Sequence, residues 1–103
     1  MTRRRKFDPE QDERDERAIF ADYSFDRLAK AAENAEALAA TYLASAEAGE
    51  RYRAHLTGRG ALWSATYHVR RDREEAAKWA RRAEIRREIA ETRPTCELPG
   101  VES

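Results

Sequence analysis

From Phe25 onward, apolar and small residues recur at Phe25, Leu28, Ala32, Ala35, Ala39, Tyr42, Ala46, Gly49 and Leu56. Alternating steps of three and four mark a helix that buries one stripe. A second run, Leu62, Ala65, Val69, Ala76, Ala80, Ala83 and Ala90, is flanked by Trp63, Tyr67, Trp79, Ile85 and Ile89 and predicts another long helix. Between the two, Thr57-Gly58-Arg59-Gly60 is the strongest breaker in the chain, because glycines adopt the left-handed conformations that end one helix and open a tight connection. Both stripes consist mostly of small side chains, so facing helices can approach near the lower end of the usual axis separation of about 8 to 10 Å. The expected fold is all-α: a long antiparallel helical hairpin, Phe25 to Leu56 against Ala61 to Thr92, with Ala-rich, coiled-coil-like packing. Gly49, which costs about 1 kcal/mol relative to alanine inside a helix, marks either a crossing point or a kink.

A shorter helix precedes the hairpin and completes a three-helix unit. In Asp8-Pro9-Glu10-Gln11, Asp8 can cap, Pro9 suits the first helical turn and Gln11 can close a capping box. The helix is expected to run to Asp22, with solvated first turns and with Ile19, Phe20 and Tyr23 as the large apolar groups near its end. Ser24 then serves as the next N-cap, with Asp26 at the positive end of the dipole. At the far end Arg93-Pro94 stops the last helix, since the residue before proline is pushed out of the helical region. This organisation gives a basic flexible arm over 1–7, a single helical domain over 8–92 and a loose tail over 93–103.

The last helix holds an internal alternative. Asp72-Arg73-Glu74-Glu75 is itself a capping box, so the helix either runs through or breaks near Arg71 and restarts. The block Trp63-Ser64-Ala65-Thr66-Tyr67, followed by Asp72 and then Ala76, Ala80 and Ala83, resembles one tetratricopeptide repeat in its spacing of apolar and small residues. The resemblance covers about a quarter of the chain, has no second repeat beside it, and departs from the pattern at Arg71, where a turn glycine is usual. It implies a protein-binding groove and no catalysis.

Composition thins the core. Leu, Ile, Val and Phe supply 14 of 103 residues, below the roughly 20% of a well-packed globular chain. Formal net charge is zero and alanine, glutamate and arginine favour helix, so helix is preferred over disorder. Burial worth about 25 cal/mol per Å² must offset the ordering entropy, and a dimer or a stabilising partner is expected to help. The single Cys96 has no intrachain partner and reads as an ordinary thiol. No apolar run approaches the roughly 18 residues of a membrane span, and no apolar segment follows the opening arginines. A cytoplasmic protein with no membrane association is the expectation.

Charge is sorted along the chain. Residues 7–50 carry 4 positive and 12 negative charges, whereas residues 51–93 carry 12 positive and 6 negative. A hairpin brings acidic flanks of one helix near basic flanks of another, favouring pairing within or between chains.

Candidate chemistry is sparse. His55 and His68 belong to neither of the two spacings that place two ligands on one helix face, although a hairpin could bring them near each other. Gly58-Arg59-Gly60 is too short to cradle a nucleotide. No catalytic residue, metal, cofactor or small-molecule substrate is expected. Large aromatics that do not fit a narrow alanine seam either cover its edge or dock onto another molecule, which makes Trp63, Tyr67 and Trp79 the candidate protein interface. The leading expectation is a non-catalytic interaction module, such as an adaptor, an assembly component or an inhibitory regulator, acting on a protein partner or as a homo-oligomer. The alternative is nucleic-acid binding through the arm, Arg3, Arg4, Arg5 and Lys6, and through Arg70, Arg71, Arg81 and Arg82 of the last helix. Glu74, Glu75, Glu84 and Glu88 interrupt that helix, and a sequence pI of about 6.8 lacks the footprint of a typical nucleic-acid binder.

Overall fold

The structure, a computed structural model, describes residues 6–94, and they form three helices: α1 (Pro9–Ile19), α2 (Phe25–Arg53) and α3 (Arg59–Glu91). The fold is the predicted all-α hairpin with a shorter N-terminal helix, and the described residues hold no strand. None of these helices is long and apolar enough to cross a membrane. Arg3, Arg4, Arg5 and the tail from Thr95, including Cys96, lie outside the described residues.

Local chemistry sets the helix ends. Asp8 accepts hydrogen bonds from the Glu10 and Gln11 amides at 3.0 and 3.4 Å, while the Gln11 side chain turns away to Asp15 and Arg14 instead of closing a capping box. α1 stops at Ile19, three residues short of the predicted end, because Phe20 turns inward and is buried. Ser24 caps α2 through the Arg27 amide at 3.3 Å. Of the two glycines in the linking turn, only Gly58 uses left-handed backbone, with φ at 97°; Gly60 sits within the first turn of α3. Arg93, assigned to the tail from sequence, is tied into the fold, where its guanidinium donates to the carbonyls of Tyr23 and Ala21 behind the C-terminus of α1.

α2 and α3 pack along their lengths, and a seven-residue beat sets their register. At Gly49 a methyl group would meet Val69 Cγ2 at 2.8 Å, so the glycine is a point of close approach within an unbroken helix. Counting outward from that contact in steps of seven, in opposite directions on the two antiparallel helices, places Tyr42 opposite Ala76, Ala35 opposite Ala83, Leu28 opposite Ala90 and Leu56 opposite Leu62. Cross-helix hydrogen bonds from Ser45 to Asp72, from Arg53 to Thr66 and from Arg86 to the Ala31 carbonyl fall at the same register. Larger residues meet smaller ones in three of these five layers, Gly49 with Val69, Tyr42 with Ala76 and Leu28 with Ala90, which lets an alanine-rich seam pack closely.

The two ends of the hairpin differ. At the base, Phe20, Leu28, Ile85, Ile89 and Ala90 form the core cluster, with Tyr23, Phe25 and Ala31 packed against it. Toward the tip only Ala46, Val69 and Ala76 are buried. α1 explains the difference, since it packs against α3 and reaches only the half of α3 beyond Lys78.

α1 is seated by charge more than by oil. Asp12 accepts two hydrogen bonds from Arg82 at 2.6 and 3.0 Å, and Glu16 accepts two from Arg86 at 2.7 and 3.3 Å. Glu13 meets Arg81, and Arg17 meets Glu88. The expectation of solvated first turns holds for Pro9, Glu10 and Gln11, which are exposed, but ends at Glu16, which is buried. These partners advance together along both helices, so α1 runs parallel to α3.

Candidate interaction surface

Trp63 and Tyr67 are brought together. One helical turn apart on α3, their rings stack at 5.8 Å with an interplanar angle of 10°, and the Tyr67 ring meets the edge of His68. Trp63 is 70% exposed, the most open of the large apolar side chains described.

Trp79 stands apart from that pair. Sixteen positions along α3 from Trp63, it is displaced by about 24 Å along the axis and by about 160° around it. It is half-buried under the guanidinium of Arg82, 4.5 Å from its ring centroid, with Arg86 at 5.7 Å. Trp79 therefore belongs to the α1 seat, and a single surface joining it to Trp63 does not exist.

The predicted cations also divide. Arg81 and Arg82 are engaged by α1: Arg81 donates hydrogen bonds to Glu13 and to Glu84 of α3 itself, Arg82 donates two to Asp12, and these bonds hold both guanidiniums more firmly charged than an ordinary arginine. Arg70 and Arg71 are exposed and hold no carboxylate among the described residues. Lys6 is exposed, beside Phe7, Glu74, Glu75 and Lys78. Arg59, which the sequence reading treated only as a turn residue, likewise holds no carboxylate among the described residues.

Sequence reading missed a groove. On one broad face of the hairpin tip, between α2 and α3, an open cleft of about 410 Å³ is lined by Gly49, Tyr52, Leu56, Ala65, Val69 and neighbouring small residues. Gly49 and Val69, in close approach, both line it, and Tyr52, 65% exposed, stands at its rim. Tyr52 lies three residues after Gly49, one step off the buried stripe, which was the available signal. Neither Trp63 nor Tyr67 lines this cleft.

The cleft contains a serine, an aspartate and a histidine. Ser45 Oγ donates to Asp72 at 2.7 Å, with His68 at the margin. In a nucleophilic triad the imidazole stands between carboxylate and hydroxyl so that it can take the proton; here hydroxyl and carboxylate bond directly. The Asp72 carboxylate, spent on Ser45, is also not a cap. α3 runs unbroken through Arg71 and Asp72, so of the two alternatives the helix runs through, and the helix-turn-helix spacing of a tetratricopeptide repeat is absent. His55 lies past the end of α2 and does not line the cleft, and no group of three or more metal-ligating side chains occurs among the described residues.

Comparison with family models, with curated proteins and with solved structures finds no match to this chain. The geometry alone carries the functional reading.

Proposed function

We propose that the protein is a non-catalytic interaction module in which the base of the hairpin is scaffold and the tip is the working end. The observation that carries this reading is the contrast between the halves. The base is closed by α1, whereas the tip is a bare pair of helices with three small or medium residues buried and with Leu43, Tyr52, Leu62 and Trp63 exposed. A two-helix hairpin of this kind gains a third element when another molecule docks on it, and a protein helix laid along the Gly49 cleft would extend the packing that α1 provides at the base. The mild chemistry of the cleft, small side chains with one satisfied carboxylate, suits a close helix-on-helix contact.

A photo-crosslinking side chain placed at Ser64 in the cleft, compared with one at Glu84 on α3, tests the reading in the native host. The expected outcome is one protein joined through position 64 and not through 84, and lost on Tyr52→Ala. Equal capture from both positions, or none from position 64, would sink it.

A further inference from the structure

The cations of α3 follow a simple rule with three exceptions. Arg73 bonds Glu50, Lys78 bonds Glu75, Arg81 bonds Glu13 and Glu84, Arg82 bonds Asp12, Arg86 bonds Glu16 and Arg87 bonds Glu36. Arg59, Arg70 and Arg71 hold no carboxylate among the described residues. All three precede Asp72, on the stretch of α3 that the acids of α1 do not reach.

These exceptions surround the exposed ring pair. At about 100° per residue, Arg59 and Arg70 lie within about 40° of Trp63 around the helix, and Arg71 lies about 40° from Tyr67. Arg59 and Arg70 stand about 16 Å apart along the axis with both rings between them. Glu74, on the same flank one step beyond Tyr67, closes the basic stretch at its C-terminal side. Tyr67 covers one face of the Trp63 indole, and the other is open.

An exposed aromatic surface flanked by uncommitted arginines, spaced for a few units of a chain, fits a ligand that is both polyanionic and ringed. We propose that this flank of the tip binds single-stranded nucleic acid, with a base stacked on the open face of Trp63 and backbone phosphates at Arg59 and Arg70. This goes beyond the protein contact at the cleft and uses different residues. It also narrows the nucleic-acid alternative raised by the sequence, which used the N-terminal arm and Arg70, Arg71, Arg81 and Arg82, to the first half of the last helix. Stacking tolerates any base, so binding is expected to be insensitive to sequence. A double helix, whose bases are already stacked, cannot offer a base to Trp63.

Fluorescence titration of the full chain with oligo-dT of about 12 nucleotides is the test. Quenching is expected in the wild type and in Trp79→Phe, and absent in Trp63→Phe. Trp63→Ala is expected to weaken binding by about tenfold, the loss of one stacked base. The dependence of log affinity on log salt is expected near −1.4 for two phosphates, with Arg59→Gln and Arg70→Gln each removing about 0.7. These residues are exposed, so circular dichroism of the variants is expected to match the wild type. No quenching at low salt overturns the proposal, as does undiminished binding by Trp63→Ala. Equal affinity for a duplex, for heparin or for polyglutamate also overturns it, and that last result would assign the flank to an acidic protein segment. Crosslinking from Ser64 in the cleft is unaffected by these variants, so failure here leaves the protein-contact reading standing.

Discussion

The carboxylate of Glu16 and the guanidinium of Arg86 meet through two hydrogen bonds, 2.7 and 3.3 Å long, with both residues less than one-tenth exposed. The remaining Arg86 nitrogen donates to the Ala31 carbonyl at 2.9 Å, and the guanidinium lies 4.5 Å from the Phe20 ring centroid. One side chain thus touches α1, α2 and the turn between them. In a chain with so little oil, a charged pair with every buried polar atom satisfied holds the third helix in place.

Removing one member of that pair strands the other. Glu16→Ala is expected to cost about 3 kcal/mol, because Arg86 is left charged and unpaired in a buried site. Glu16→Leu combined with Arg86→Met is expected to recover most of that loss. Urea unfolding of the two variants measures it; a Glu16→Ala loss below about 0.5 kcal/mol would show that the pair is not structural.

Gly49 yields a prediction whose sign depends on its neighbour. Alanine is a better helix former by about 1 kcal/mol, yet its methyl would sit 2.8 Å from Val69 Cγ2. Gly49→Ala is therefore expected to destabilise by about 1 kcal/mol net, overpacking outweighing propensity. With Val69→Ala in the background the methyl has room, and the same substitution is expected to stabilise. Thermal melts of the four proteins decide the point, and a stabilising effect in both backgrounds would refute the close approach.

Acid should loosen the α1 seat late. Hydrogen bonds from Arg17 and Arg81 hold the Glu13 carboxyl below the usual glutamate range; Arg87 does the same for Glu36, and Arg17 for Glu88. A lowered folded-state pKa contributes stability that is complete above the unfolded value of about 4.3 and is lost as pH falls through the folded value. Melting temperature is expected to stay level from about pH 7 to pH 5 and to fall below about pH 4.3, modestly, because these pairs are exposed and screened by salt. Trp79 emission follows the seat directly. A decline that starts near pH 6, or none by about pH 3, contradicts this assignment.

Protection from hydrogen exchange should form a gradient. Amides around Ile85 to Ala90 sit at the core cluster, whereas those around Leu62 to Thr66 sit on the bare tip. Exchange is expected to be slowest at the base and fastest at the tip. Uniform protection in the isolated protein would mean that the tip is already covered.

The stripe of α2 was legible because burial along it follows one period, with Leu28, Ala32, Ala35 and Ala46 buried where the pattern places them; on α3 Val69, Ala76, Ala83 and Ala90 follow the pattern, whereas Leu62 and Ala80 are exposed. What was illegible is burial by charge. Asp12 and Glu16 recur every four residues on α1, but an acidic face reads as solvated until its arginines, seventy residues away, are known. Trp79 is set apart from Trp63 by its position on α3, about 160° around the helix, and its cover by Arg82 and Arg86 depends on the docked α1. Asp72 offered a convincing cap, and the hydroxyl of Ser45 on the facing helix took its carboxylate instead. The cleft escaped notice because its lining, Gly49, Tyr52 and Leu56 with Ala61, Ala65 and Val69, comes together only once α2 and α3 are paired.

The opposed volumes along the hairpin have a consequence for how it comes together. Sliding α3 by seven residues in one direction would crowd Val69 against Tyr42 and face Gly49 with Leu62; sliding it the other way would leave Gly49 and Ala76 facing each other across an empty layer. Either slip would also take Glu36 away from Arg87. Bulk matched to absence, more than any polar signal, makes one alignment of these two rods right and its nearest competitors wrong.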